Sequence, residues 1–467
     1  MATLAQNSMD RRNFLQLTGM ASLGFLGLHR FVSVEEPTTK KIASRIGYGD
    51  LTPDPQGILN LPKGFSYKVI SRQGDPMTDG LLVPGKGDGM ATFVLDKDRT
   101  ILIRNHELSA TDVNEGAFGG SQEFLGKVSK ELFYDFGQGK LPSLGGTTTL
   151  IYNHRTQQVE SQYLSLAGTN RNCAGGSTPW GSWLTCEEDV QRVGNTAEKD
   201  HGYVFEVPAA AKPGLVTPLP LKAMGRFNHE AVCVDPKTGI VYLTEDDSAG
   251  LIYRFLPNTK GKLAKGGKLQ ALALVGQKSA DTRNWSSLTT EKLPANKPVA
   301  VEWIDMNDVE APENDLRLRG FDKGAARFAR GEGMWFGKNE LYFACTNGGQ
   351  ISKGQIFRYV PSAYEGTARE KEAPGKLELF VEPNNTDLVK NCDNLTIAPW
   401  GDLIVCEDDS HPYVVGITPR GEFYRLAENA GYPSEFAGGV FSPDGNTYFV
   451  NIQHAGLTLA ITGPWRA

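Results

Sequence analysis

The stretch that decides the fold is NCAGGSTPWGSWLTCEE, residues 172–188. It opens on small and glycine-rich sequence, turns at Thr178-Pro179-Trp180-Gly181 and continues as Ser182-Trp-Leu-Thr-Cys-Glu187, a run of β-formers. It ends on a thiol, Cys186, beside two carboxylates, Glu187 and Glu188. Soft and hard metal ligands side by side at a strand end are not something core packing requires.

Outward from this stretch the same layout recurs. Runs of the same kind are Ile101–Glu107, Ile240–Glu245, Leu341–Thr346, Asp402–Glu407 and Asn446–Asn451. A glycine stands six residues before Glu187, Glu245, Glu407 and Asn451, at Gly181, Gly239, Gly401 and Gly445. Five of the runs follow a strand with a polar or glycine-rich opening: Asn172-Cys-Ala-Gly-Gly, Asn228-His-Glu, Arg330-Gly-Glu-Gly, Cys392-Asp-Asn and Phe436-Ala-Gly-Gly. A third strand follows in most units, as at Gly202, Gly250, Gly354 and Tyr413. Inner strand, turn, second strand, loop and third strand is the grammar of a propeller blade. The sequence therefore predicts an all-β fold, a six-bladed β-propeller over residues 41–467 with an axial polymetal site. Insertions are expected near residues 108–140 and 258–325, the second with a helix. The first blade is expected to borrow a strand from the C-terminal run Gly456–Thr462.

Composition fits this reading. Glycine is abundant, at 53 of 467 residues, and spread along the chain. The formal charge is −6, so the chain lacks the basic footprint of a nucleic-acid binder. The six cysteines, Cys173, Cys186, Cys233, Cys345, Cys392 and Cys406, include no CxxC pair, which argues against a zinc ribbon or a thioredoxin-like site. With only seven histidines, carboxylates must supply most ligands to any metal.

Residues 10–28, DRRNFLQLTGMASLGFLGL, have Arg11-Arg12 ahead of a short apolar segment. They resemble a signal read by the twin-arginine export machinery, so residues 1–40 are set apart from the fold. No other segment approaches the length of a membrane span, and a periplasmic or secreted monomer is expected.

In a propeller the inner strands line one channel and their ends meet at one mouth. The openings offer Cys173, His229, Glu230, Arg330, Glu332, Asp393 and Asn394, and the second strands end on Glu107, Cys186-Glu187-Glu188, Glu245-Asp246-Asp247 and Glu407-Asp408-Asp409. So many carboxylates at one mouth must raise each other's pKa or recruit cations. Oxygen ligands suit calcium, and a thiolate suits a softer metal such as iron or zinc. Arg330 beside such a cluster is suited to clamp a phosphate. Polymetal site and arginine together fit phosphoryl transfer.

These residues resemble a known family. The stretch 172–188, GRFNHEAVCVDPKTGIVYLTEDD (225–247), RGEGMWF (330–336), ACTNGGQ (344–350), DNLTIAPWGDLIVCEDD (393–409) and EFAGGVFSPDGNTYFVN (435–451) are together similar to the PhoX family of secreted bacterial alkaline phosphatases. The resemblance implies a six-bladed propeller with an iron–calcium cluster that hydrolyses phosphate monoesters by attack of a metal-bound oxygen. It implies Cys186 as the iron thiolate, Glu187, Glu230 and Glu332 as cluster carboxylates, and Arg330 as the phosphate-binding arginine. Asp393 and Glu407 stand where further ligands are expected, and Glu245 joins them because its strand offset matches Glu187 and Glu407. His229 and Asn394, next to Glu230 and Asp393, are assigned to substrate binding. Two rival readings are a calcium-dependent propeller lactonase or esterase, which needs no thiolate, and a non-catalytic scaffold in which metals only staple the blades.

Overall fold

Runs such as Val241-Tyr-Leu-Thr-Glu245 and Leu403-Ile-Val-Cys-Glu407 combine β-branched, aromatic and leucine side chains, and they pair as strands. The computed structural model describes residues 46–194 and 196–466. The export segment expected at residues 1–40 lies outside the described residues. No helix among the described residues is long and apolar enough to cross a membrane.

The fold is all-β with a propeller-like arrangement. Among the described residues the strands form five antiparallel sheets. The first is Gly87–Val94, Arg99–His106, Gly145–Asn153 and Gln158–Thr169. The second is Asn172–Ser177, Ser182–Glu187 and Val204–Pro208. The third has nine strands: two ladders, opening with His229–Val234 and Gly331–Phe336, join at their outer edges where Val299–Asp305 pairs with Lys376–Val381. The fourth opens with Cys392–Ile397, and its outer edge is extended by Leu59–Pro62 and Leu51–Thr52. The fifth is Phe436–Phe441, Thr447–Ile452, Leu457–Thr462 and the N-terminal strand Ser66–Arg72.

That last pairing corrects one expectation. The C-terminal run does not complete the first sheet, whose four strands are already contiguous. Instead Ser66–Arg72 pairs along the whole of Leu457–Thr462 and clasps the two ends of the chain together. The helix expected in the second insertion is Leu316–Lys323, which ends at Gly324 in a left-handed conformation.

Each ladder has one innermost strand, and each innermost strand packs on the next: Gly87–Val94 on Asn172–Ser177, then His229–Val234, Gly331–Phe336, Cys392–Ile397 and Phe436–Phe441, which returns to Gly87–Val94. The approach is backbone on backbone. A Cβ on Gly333 would lie 2.7 Å from the Asn394 Cα, and one on Gly438 would lie 2.1 Å from the Asp88 carbonyl oxygen. Apolar layers fill the spaces between successive ladders. Leu184 and Val204 meet Val232, Leu243 and Tyr253; Tyr342 and Ile356 meet Leu395 and Val405; Ile404 and Val414 meet Phe441 and Val450. Each such aliphatic side chain taken out of water contributes about 2 kcal/mol. Met90, Val440 and Phe449 form another layer, against which Trp335 packs from the far side of the ring.

Candidate metal centre

All six innermost strands carry a β-bulge near their start. The regular register stops at Gly87, Asn172, His229, Gly331, Cys392 and Ala437 and resumes three residues later, against a shift of two on the partner strand. A bulge re-aims the side chain of the extra residue. The residue after each break is Asp88, Cys173, Glu230, Glu332, Asp393 and, in the last strand, Gly438. Five equivalent positions thus carry a thiol or a carboxylate at the start of an inner strand.

The side chains converge. Ligand atoms of Cys173, Glu188 and Glu230 lie within 4.8 Å of one another, and so do those of Glu230, Glu332 and Asp393. Glu230 belongs to both groups. A second tier stands just past the ends of the second strands: Glu107, Glu188, Asp246 and Asp408, with Glu435 from the loop before the last inner strand. Two guanidinium groups meet these acids. Arg330 gives Asp246 two bonds, Nε at 2.8 Å and Nη2 at 2.5 Å, and lies 3.0 Å from Glu332. Arg171 Nη2 lies 2.6 Å from both Glu107 and Glu188.

Of the residues singled out from sequence, Glu230, Glu332, Asp393 and Arg330 come together here. Asn394 lies beside Asp393 but is buried, with its amide engaged by Asp393 and by the Gly438 N–H of the next inner strand. His229 is buried behind its strand. Its ring stacks on Phe227 at 3.6 Å, Nε2 bonds the Gly225 carbonyl at 3.0 Å, and burial pushes its pKa down to about 3, so it is neutral.

Cys186, Glu187, Glu245 and Glu407 are not in either donor group. Cys186 points into the apolar layer with Leu184, Val204 and Phe227. The three glutamates share a different task, holding the loop that feeds the third strand. Glu187 accepts from the backbone N–H of Asn170, Gly202 and Tyr203 and from His201. Glu245 accepts from Leu251 N–H and Tyr253 Oη, and Glu407 from Lys390 and Tyr413 N–H. The six-residue glycine offset marks this bracket. The next residue along, Glu188, Asp246 or Asp408, faces the mouth, because successive strand side chains alternate. Cys173, Asp88 and Glu435 are further mouth residues. For Cys173, the signal was its equivalence to Glu230 and Asp393 at the second position of an inner strand.

The electrostatics mark the site as incomplete on its own. Burial raises the carboxyl pKa values of Glu230 and Glu332, reinforced for Glu230 by Glu188 and for Glu332 by Asp246. Burial, then Asp246, pushes Glu188 up to about 8, and burial, then Asp408, pushes Asp393 up to about 8. Asp88 is raised by burial and by Asp393, and its Oδ1 is buried without a hydrogen-bond partner. Nine carboxylates (Asp88, Glu107, Glu188, Glu230, Asp246, Glu332, Asp393, Asp408 and Glu435) thus face two guanidinium groups and one thiol. Such a set fits bound cations, which would compensate the charge that the two arginines leave over. Below the bulges, Met90 and Val440 belong to an apolar layer against which Trp335 packs. A cavity of about 220 Å³ at the other end of the inner strands, lined by Val232, Met334, Trp335 and Phe336 among others, contains no carboxylate. The acidic mouth is therefore one-sided.

Among solved structures, a gluconolactonase from Xanthomonas campestris superposes with a TM-score of 0.40 at 11% identity, over 90% of this chain and 99% of that one. The β-propeller domain of Cps50 (Swd1) from Myceliophteria thermophila gives 0.39 at 9% identity, over 83% and 99%. No curated protein matches the sequence. The family model for alkaline phosphatase PhoX matches residues 46–456, nearly the whole chain. The chain belongs to the PhoX family of alkaline phosphatases, which are phosphoric monoester hydrolases.

Proposed function

We propose that the axial mouth is a multinuclear metal site at which phosphate monoesters are hydrolysed, on a single domain of six blades, one per innermost strand. The observation that carries the reading is the pair of overlapping donor groups, Cys173–Glu188–Glu230 and Glu230–Glu332–Asp393, lying under Arg330. The first group contains a thiol and suits iron; the second is all oxygen and suits calcium. Glu230, common to both, would help hold the ions of each group. Bound cations would supply Lewis-acid stabilisation of charge on the phosphoryl oxygens.

The chain's own residues do the rest. The bulges hold Cys173, Glu230, Glu332 and Asp393 on rigid strands, so the donor set is organised before substrate arrives. Arg330 is two-thirds buried yet reaches solvent at the mouth, with 37% of its side chain exposed. With Asp246 and Glu332 holding cations, its fork would be free to pair with two phosphoryl oxygens. Met90 and Trp335 pack as an apolar layer below the donors, so the acidic side is the face we assign to substrate entry. Arg11-Arg12 and the apolar segment after them support export by the twin-arginine route to the periplasm or beyond.

The deciding experiment is Arg330→Ala. The reading predicts a fall of at least a hundredfold in kcat/KM for p-nitrophenyl phosphate, with metal content and melting temperature preserved. Unchanged hydrolysis would remove Arg330 as the phosphate clamp.

A further inference from the structure

Arg171 and Arg330 occupy the same place in the repeat. Each is the residue just before an innermost strand, and each has left-handed backbone, φ 46° and 51°. Each carbonyl accepts the N–H of the residue just past the partner strand: Glu188 at 3.0 Å and Thr346 at 3.1 Å. Each N–H donates to the carbonyl just past a mouth acid of the preceding ladder: Leu108 after Glu107, at 2.9 Å, and Asp247 after Asp246, at 3.0 Å. The side chains repeat the pattern. Arg330 pairs with Asp246 of the preceding ladder and Glu332 of its own; Arg171 pairs with Glu107 of the preceding ladder and Glu188 of its own. Lys86 and Asn391 share the backbone conformation, φ 44° and 47°, so the conformation belongs to the repeat and the guanidinium is the distinguishing feature.

We infer that Arg171 is a second phosphoryl-binding arginine, placed two ladders round the ring from Arg330 and acting on the same anion. The inference deepens the phosphomonoesterase reading and rests on it. Two observations favour it over simple neutralisation of Glu107 and Glu188. Arg330 commits both Nε and Nη2 to Asp246, whereas the bonds of Arg171 all run through Nη2. Among the described residues neither Nε nor Nη1 of Arg171 meets an acceptor, and 43% of its side chain is exposed at the mouth. Glu188 also lies between the two arginines, in contact with Arg171 and within electrostatic reach of Arg330. A tetrahedral dianion over Glu188 presents three non-bridging oxygens, enough for both guanidinium groups at once. The ligand class is a phosphate monoester and its product, inorganic phosphate.

The test measures inhibition by inorganic phosphate and KM for p-nitrophenyl phosphate on metal-loaded wild type, R171Q and R171K, with elemental content and thermal melting alongside. The expected result for R171Q is a roughly tenfold to hundredfold rise in both the phosphate Ki and KM, the loss of one charge-assisted contact, with metal content unchanged. R171K keeps the charge without the fork and should fall between. A phosphate Ki for R171Q within twofold of wild type overturns the inference, as does a loss of metal that accounts for the loss of affinity. Should R171Q not fold, R171K decides by the same reading, because an unchanged Ki there also overturns it. A metal-loaded wild type that neither hydrolyses the ester nor binds phosphate overturns the phosphomonoesterase reading itself.

Discussion

Cys173 and Cys186 stand at either end of the same hairpin, and both are buried and free. Their surroundings separate them. Cys186 packs with Leu184 and Val204, while the Cys173 Sγ lies with carboxylate oxygens of Glu188 and Glu230. Cys173→Ser should therefore strip the softer metal, seen as loss of iron by elemental analysis together with loss of turnover. Cys186→Ala should keep both and lower stability by about 1 kcal/mol, the usual scale of a small core truncation. The reverse pattern would return the thiolate to Cys186. Both thiols were legible in the sequence. Which one faces the axis was not, because a bulge shifts side-chain alternation by one residue and leaves no compositional mark. Glu187, Glu245 and Glu407 stood out by their glycine offset, whereas simple alternation along the second strands turns the next residues, Glu188, Asp246 and Asp408, to the mouth.

At the scale of the element, the glutamate brackets are what the repeating offset recorded. In the second ladder the bracket is reinforced by a buried cation. His201 lies with Nδ1 at 2.6 Å from Glu187 and Nε2 at 3.2 Å from Asp135, joining the insertion after Arg99–His106 to the loop beyond Ser182–Glu187. Burial opposes its charge, but Glu187 and Asp135 outweigh it and push its pKa up to about 10. A raised folded-state pKa means stabilisation that is complete below the ordinary histidine value of about 6.5 and gone above about pH 10. His201→Gln should cost about 3 kcal/mol at pH 6, since it leaves two buried carboxylates facing each other. In melts followed from pH 6 to 10, the gap to wild type should narrow as pH rises; a constant gap would show that His201 is neutral. The second strands were legible almost to the residue, from β-formers between a glycine turn and an acid. The first inner strand was not, because Gly85-Lys-Gly-Asp-Gly89 reads as a turn. Gly89 is there for a packing reason: a Cβ would lie 2.7 Å from the Ala174 Cα. Asp88 was hidden with it.

For the whole molecule, closure and charge act together. The Ser66–Arg72 strand completes the last sheet, so removing residues up to Arg72 should expose the edge of Leu457–Thr462 and lower the melting temperature by several degrees or more. The ring also concentrates acids that no single ladder would hold. Metal-free protein should show this in its pH dependence. Glu188 and Asp393, pushed up to about 8, hold protons in the fold that the unfolded chain releases near pH 4. Stability of the chelated protein should therefore be highest near pH 4 to 5 and fall as pH rises towards 8, while metal-loaded protein is spared that fall. Parallel pH profiles with and without chelator would mean that the mouth holds no cations.

The most direct test of the account is elemental analysis of protein folded in its own host, paired fraction by fraction with p-nitrophenyl phosphate turnover during chelation. The account predicts that iron and calcium are both present in every chain and that turnover falls with their removal. Full activity in metal-free protein, or in protein holding zinc alone, would contradict it.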